Sequence, residues 1–295
     1  MNTYLKIANI GISVRHPGAC ELWNSRNGTS ERYKPFLVSS GAGSGVSINI
    51  LRKNKLTLPK GKKIFDSGGL WSIYAEGSFL AIVIADPLSG SAPDEIISSA
   101  ADFSSWDIYF SPALIKKGRN PLDYPVLEVI MVNVFSRSKG VLVHASGVVS
   151  LAQGLLFSGN SGAGKSTLSQ LWKSSRPQDL LLTDDRAAII NKGGRYMVYG
   201  TPWSGSANVY SSECGVLKKI FFISHSKNNF VRKMSSIEAA SALIRHSSLA
   251  YWDQAGLNFA VAFCARLCEK IKCYRLGFMP DKGAVEFITK LPGKK

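Results

Sequence analysis

The chain has 295 residues, 45% of them hydrophobic, enough for a sizeable core in one large or two modest domains. No apolar run approaches the roughly eighteen residues of a membrane-spanning helix, and Met1 to Arg15 lacks the basic, apolar and cleavage segments of a secretory signal. Thirty-six basic against twenty acidic residues give a net charge of +16, a field that attracts anions such as nucleotides or acidic peptides.

The first 124 residues read as a smaller β-rich domain, serving as scaffold or as a recognition surface for a substrate or partner. Tyr4 to Val14 alternates through its second half until Pro17-Gly18 interrupts it, and Val46 to Ile50 alternates after the glycine-serine turn Gly41 to Gly45. Trp71 to Ala75 and Phe79 to Ile84 form a hairpin about Gly77. Asp123-Tyr124-Pro125 marks the junction, and residues 125–295 form the second domain. It opens with Val126 to Phe135, where Leu127, Ile130, Met131 and Val134 fall at helical spacing and predict an amphipathic helix.

Val141 to Val149 then reads as an apolar strand carrying His144, and Leu155-Leu156-Phe157 as a second one. Directly after it, Gly159-Asn160-Ser161-Gly162-Ala163-Gly164-Lys165-Ser166 fits G-x-x-x-x-G-K-[ST] at every constrained position, and Thr167 to Trp172 continues with helical spacing. Strand, glycine turn and helix are what a phosphate cradle requires. Glycine lets the backbone approach a ligand closely, successive N–H groups converge on one hollow, and the positive end of the helix lies beneath it. In this pattern Lys165 reaches the β- and γ-phosphates and the Ser166 hydroxyl is a Mg²⁺ ligand.

Leu180 to Thr183 is a further apolar strand that ends in Asp184-Asp185-Arg186. Two adjacent carboxylates at a strand's end can divide two jobs, one holding Mg²⁺ and the other accepting a proton from an attacking hydroxyl. Arg186 either neutralises the transferred phosphate or makes a structural ion pair. Ala187 to Ile190 and Tyr196 to Tyr199 predict a hairpin around Gly193-Gly194, closed by Thr201-Pro202-Trp203. Trp203 either packs on substrate or fills the core, and core is the expectation.

Taken together, HASGVV, GNSGAGKST, LLTDDR and Gly200-Thr201-Pro202-Trp203-Ser204-Gly205 resemble the kinase domain of HPr kinase/phosphorylase and its relatives. Those relatives include lasso-peptide precursor kinases, free-serine kinases and, more distantly, phosphoenolpyruvate carboxykinase. Glu31 to Leu37 is similar to a segment of the biosynthetic members. The resemblance implies an α/β fold, a mixed-sheet P-loop kinase domain preceded by the β-rich domain. It also implies ATP bound at Gly159 to Thr167, Lys165 and Ser166 on nucleotide and metal, Asp184 and Asp185 as base and metal contact, and His144 beside them. HPr kinases carry an acidic residue where this chain has Asn160, and a later acidic and arginine signature with no counterpart here. HPr itself as acceptor, and reverse phosphorylase activity, are therefore not expected.

Beyond the motifs, Lys218 to Ile223 reads as a strand, Ser236 to Ile244 and Gln254 to Lys270 as helices, and Val285 to Ile288 as a last short strand. Five cysteines, at 20, 214, 264, 268 and 273, suit a reduced cytoplasmic setting, and the last three read as core rather than metal ligands. His16, His225 and His246 read as single histidines at the surface or satisfied in the core, and Arg232, Arg245 and Arg266 matter only if folding brings one to the site. The basic residues are scattered, with small groups only at Lys60 to Lys63 and Lys294-Lys295, so no nucleic-acid role is expected.

The functional expectation is an ATP- and Mg²⁺-dependent kinase acting on a serine-type hydroxyl of a peptide, protein or small molecule, with Asp184 as base and Asp185 on the metal. The alternative is a nucleotide-binding switch or docking module that transfers nothing. Self-association is left open.

Overall fold

The computed structural model describes residues 1–17, 29–40, 43–77, 79–85, 92–137 and 139–291. Gly18, Cys20, Gly41, Ala42, Ser78, Lys294 and Lys295 lie outside the described residues. The fold is mixed α/β, mostly sheet, with two mixed sheets. Two compact units form, Met1–Arg137 with Ala250–Gly256, and Ser138–Leu249 with Leu257–Lys295. The division thus falls after residue 137 rather than at 124. No helix among the described residues is long and apolar enough to cross a membrane.

In the first unit the strands are β1 (Asn2–Ile7), β2 (Ile10–Arg15), β3 (Leu37–Val38), β4 (Ser44–Arg52), β5 (Lys62–Asp66), β6 (Trp71–Glu76), β7 (Phe79–Ile84), β8 (Glu95–Ser99) and β9 (Ser105–Phe110). They form one sheet in the order β3-β1-β2-β4-β9-β8-β7-β6-β5. The β6–β7 hairpin forms as expected. The stretch read as one strand from Tyr4 is instead a tight hairpin, because Ala8 and Asn9 take positive φ and turn the chain back. Short helices α1 (Thr29–Tyr33) and α2 (Pro112–Lys116) precede α3 (Val126–Ser136). All eleven residues of α3 are buried, so it is a core helix rather than an amphipathic one. Its polar Asn133 is tolerated there because its amide donates to Val129 O at 2.8 Å and accepts from Trp252 Nε1 at 2.8 Å.

The second unit contains β10 (Gly140–Ser150), β11 (Gln153–Ser158), α4 (Lys165–Ser175), β12 (Leu180–Thr183), β13 (Arg186–Lys192), β14 (Arg195–Tyr199), β15 (Cys214–His225), β16 (Phe230–Lys233), α5 (Ser236–Arg245), β17 (Ser247–Ser248), β18 (Lys272–Phe278) and α7 (Lys282–Lys290). The helix α6 (Gln254–Lys270) starts in the first unit and runs through the second. Two long strands organise the sheet. Gly140 to His144 of β10 pairs with β13, whereas Ala145 to Ser150 pairs with β11 and, on its other edge, β12. Likewise the start of β15 pairs with β14 and the rest with β11 and β18.

Strand direction follows from those pairings. Both β11 and β12 run antiparallel to β10, so they are parallel to each other, and β11 is parallel to β15. The carboxyl ends of β11, β12 and β15 therefore open on one edge, the place where α/β sheets bind ligands. Those ends carry Gly159, Asp184 and His225 respectively.

Two cores cover the sheet. Cys264, Cys268 and Cys273 lie in one of them with Leu243, Ile220 and Phe263, as a core role requires. Burial pushes the Cys264 thiol up to about 12, which removes it from thiolate chemistry. The other core packs Trp172 of α4 with Phe157, Phe278, Val285 and Ile288. Here the expected last strand is replaced by helix α7. Asp281 caps it by accepting the Ala284 N–H at 3.2 Å, and Ala284, Val285 and Ile288 then share one buried face. Each large apolar side chain buried this way stabilises by about 1.5–3 kcal/mol, more than the β propensity of a four-residue run.

Candidate active site

The phosphate-loop sequence produces the local geometry that it implies. Gly159 leaves β11, Gly162 takes φ +78° and Gly164 φ +95°, and α4 begins at Lys165. A Cβ at Gly164 would stand 2.7 Å from Phe278 Cζ and 2.9 Å from His225 Cε1, so the position excludes side chains for both conformation and space. Lys165 is buried, and its Nζ donates to Gly159 O at 2.9 Å and Asn160 O at 3.0 Å. The loop's own carbonyls thereby hold the cation at the mouth of the helix. Burial draws the Lys165 pKa below the ordinary lysine value, against the opposing pull of Asp185.

The two aspartates occupy different environments. Asp184 is 1% exposed and its carboxylate accepts four hydrogen bonds. Ser166 Oγ donates to Oδ2 at 3.0 Å, Ala207 N to Oδ2 at 2.8 Å, and Gly205 and Val209 N to Oδ1 at 2.9 and 3.1 Å. Three backbone donors and one hydroxyl are a full complement for a buried carboxylate. The block after Thr201 thus supplies the main-chain wrap around Asp184. At Gly205 a Cβ would fall 2.9 Å from Asp184 Oδ2 and 3.2 Å from Ser166 Oγ, so only glycine lets that wrap close.

Asp185 faces elsewhere. Its Oδ1 lies 3.0 Å from His144 Nε2 and accepts Arg186 Nη1 at 3.1 Å, and its side chain is 30% exposed. Among the described residues no hydrogen bond reaches Oδ2. The backbone fixes this meeting, since Ala145 N donates to Asp185 O at 2.9 Å where β10 passes from one partner strand to the next. Burial pushes the Asp185 pKa up, but the His144 hydrogen bond and the charges of Arg186, His144 and Lys165 outweigh it and hold the carboxyl below its usual range. His144, expected beside the two aspartates, is paired with Asp185.

One cavity of about 350 Å³ collects these groups: His144, Ser161, Gly162, Gly164, Lys165, Ser166, Thr167, Asp184, Asp185, Gly205, Ser206 and His225. Gly159 and Asn160 lie instead in the wall of a neighbouring cavity, and Ala163 turns onto the core. Arg186 reaches Asp185, so the ion pair is formed. Trp203 is buried, its carbonyl accepts Thr183 Oγ1 at 3.2 Å, and its Nε1 has no hydrogen-bond partner among the described residues. It belongs to the core side of the two readings.

Two histidines were missed as site residues. His225 Nε2 lies 3.1 Å from Gly162 O at the end of β15. His246 joins Ser158 Oγ at 2.9 Å to Asn160 Oδ1 at 3.0 Å, and burial holds its pKa down at about 4. The only local signal was that His225 follows a predicted strand. His16, in contrast, is a satisfied core group against Thr3 Oγ1 at 3.1 Å.

Among the described residues no group of three or more His, Cys, Asp or Glu side chains is placed to hold a metal by itself. The donor set does fit Mg²⁺ shared with phosphate oxygens, which takes one or two protein oxygens and little else. Ser166 spends its hydrogen on Asp184 and keeps its oxygen lone pairs for the metal. No model of a known protein family matches the chain, and no curated protein matches it.

Proposed function

We propose that this protein is an ATP- and Mg²⁺-dependent kinase of the HPr kinase-like type, transferring a γ-phosphate to a serine-type hydroxyl of a peptide, protein or small molecule. The observation that carries the reading is a single cavity shared by Lys165, Ser166, Asp184 and the Asp185–His144 pair. A phosphate loop alone would fit any nucleotide binder. A loop facing a second carboxylate with an open oxygen fits transfer to a hydroxyl.

The N–H groups of the loop and the positive end of α4 hold the triphosphate, and Lys165 exchanges its two carbonyl partners for β- and γ-oxygens. Ser166, held in place by Asp184, would hold Mg²⁺, which would supply charge neutralisation for the phosphate oxygens. The structure favours Asp184 as the anchor of Ser166, because its acceptor positions are filled and it is sealed from solvent. Asp185 is the better base. It receives the acceptor's proton on Oδ2 as the new O–P bond forms and the bond to the β-phosphate oxygen breaks, releasing ADP. His144 orients it through Oδ1. A weakly basic carboxylate suffices, since the loose transition state demands little proton abstraction before bond formation.

The test is incubation of the purified protein with labelled ATP, free serine and serine peptides, followed by mass spectrometry of the acceptors. Phosphoserine that disappears with Asp185→Asn is the expected result. Tight MgATP binding with no phosphate on any peptide, metabolite or water would instead favour the nucleotide switch.

A further inference from the structure

Beside the phosphate loop lies a second cavity of about 410 Å³, within the size range of small-molecule sites. It starts at Gly159 and Asn160, the two residues whose carbonyls hold Lys165 Nζ at 2.9 and 3.0 Å. Lys165 serves the β- and γ-phosphates in such a loop, so this cavity adjoins the end of the triphosphate that is transferred.

Its walls follow from helix and strand periodicity. Glu238, Ser241, Ala242 and Arg245 stand at i, i+3, i+4 and i+7 on α5 and so share one face. Phe222 of β15 and Arg275 of β18 are opposite each other in the sheet and project to the same side. Arg232 of β16 is next in that row, but its guanidinium is committed to Glu238 at 3.3 Å. The acid of the cavity is also committed, since Glu238 accepts the Ser235 N–H at 3.0 Å in the capping box of α5. Arg245 only donates to Ser241 Oγ at 2.9 Å, and Arg275 has no ion pair among the described residues. Two guanidinium groups thus face a hollow whose one acid among the described residues is already matched, over a partly apolar floor.

The route to the chemistry is short. His246 lines this cavity and His144 the other, and His144 N donates to His246 O at 2.7 Å. Resting on the kinase reading, we infer that the phosphate acceptor is held in this second cavity by an anionic group, a carboxylate or a phosphate ester, with Arg245 and Arg275 as its partners. Its hydroxyl then extends past His246 toward Asp185.

Calorimetric titration tests this with two probes, succinate for the carboxylate and glycerol 2-phosphate for the phosphate ester, each with and without saturating MgADP. At least one probe binds the wild-type protein, and the Arg245→Met/Arg275→Met variant weakens it by at least about tenfold, as loss of charge-assisted hydrogen bonds dictates. MgADP affinity changes by less than about twofold, and Arg275→Lys retains an intermediate affinity that shows the site is still folded. Binding of neither probe, equal binding by the double variant, or a parallel tenfold loss of MgADP affinity overturns the inference. Failure of the kinase reading looks different: MgADP itself does not bind, while the arginine dependence of the probes is read in its absence.

Discussion

His144 Nε2 stands 3.0 Å from Asp185 Oδ1, and neither its ring nor that carboxylate takes part in the four hydrogen bonds that enclose Asp184. Adjacent in sequence, the two acids are chemically separated by the turn between them. If Asp185 is the base, Asp185→Asn lowers kcat by about 10²–10⁴ with little change in the KM for ATP. His144→Gln, which keeps a donor toward Asp185, costs less than His144→Ala. Steady-state kinetics on the identified acceptor decide this, and full activity of Asp185→Asn would return the role to Asp184.

Asp184 predicts a structural penalty as well as a kinetic one. Asp184→Asn aims an amide N–H₂ at backbone donors and leaves buried groups unpaired, so it costs about 1–3 kcal/mol of stability. Gly205→Ala, by crowding Asp184 and Ser166, raises the Mg²⁺ concentration needed for half-maximal activity while leaving the phosphate loop intact. Chemical denaturation and Mg²⁺ titration measure the two effects. An unchanged Mg²⁺ requirement in Gly205→Ala would contradict the assignment of Ser166 to the metal with Asp184 as its anchor.

Trp203 separates core from substrate contact. Its buried Nε1–H, without a partner among the described residues, is a cost that Trp203→Phe removes at the expense of some volume, so the stability change stays within about 1.5 kcal/mol. The KM for the acceptor stays at its wild-type value. A rise in that KM without loss of stability would place the indole against substrate.

His246 gives the protein a pH dependence with a definite sign. Its pKa is about 4 in the folded chain against the ordinary 6.5, so unfolding takes up a proton between those values and stability rises with pH through that window. Melting temperature therefore falls as pH is lowered from about 6.5 toward 4, and His246→Gln flattens that slope. Asp185, whose carboxyl is held below the ordinary 3.8, contributes stability that is present above that value and lost only at lower pH. A wild-type slope retained in His246→Gln would refute the assignment.

Much of the site was legible because its signals are local. A phosphate loop is a backbone conformation set within eight residues, and glycine at 162 and 164 is required by the positive φ found there. The strands before it and the helix after it carry their periodicities in the same stretch. The errors fell where local preference is weak. Val285 to Ile288 reads as strand by β-branched content, yet a cap at Asp281 and a waiting apolar surface on α4 make it helix. Ala8 and Asn9 turn the chain without a glycine to announce it.

By itself, then, the amino-acid order determined the cradle, the paired acids at a strand's end and the cysteines in the core, since each depends on neighbours a few residues away. Only the tertiary structure decided that Ser166 meets Asp184 while His144 meets Asp185, that residues 205–209 close over the buried acid, and that His225, His246, Arg245 and Arg275 gather at the loop. Those meetings depend on β10 and β15 each changing partner strands along its length, and on the parallel alignment of β11, β12 and β15. Such pairings are selected by the packing of the whole sheet, which no short window of residues encodes.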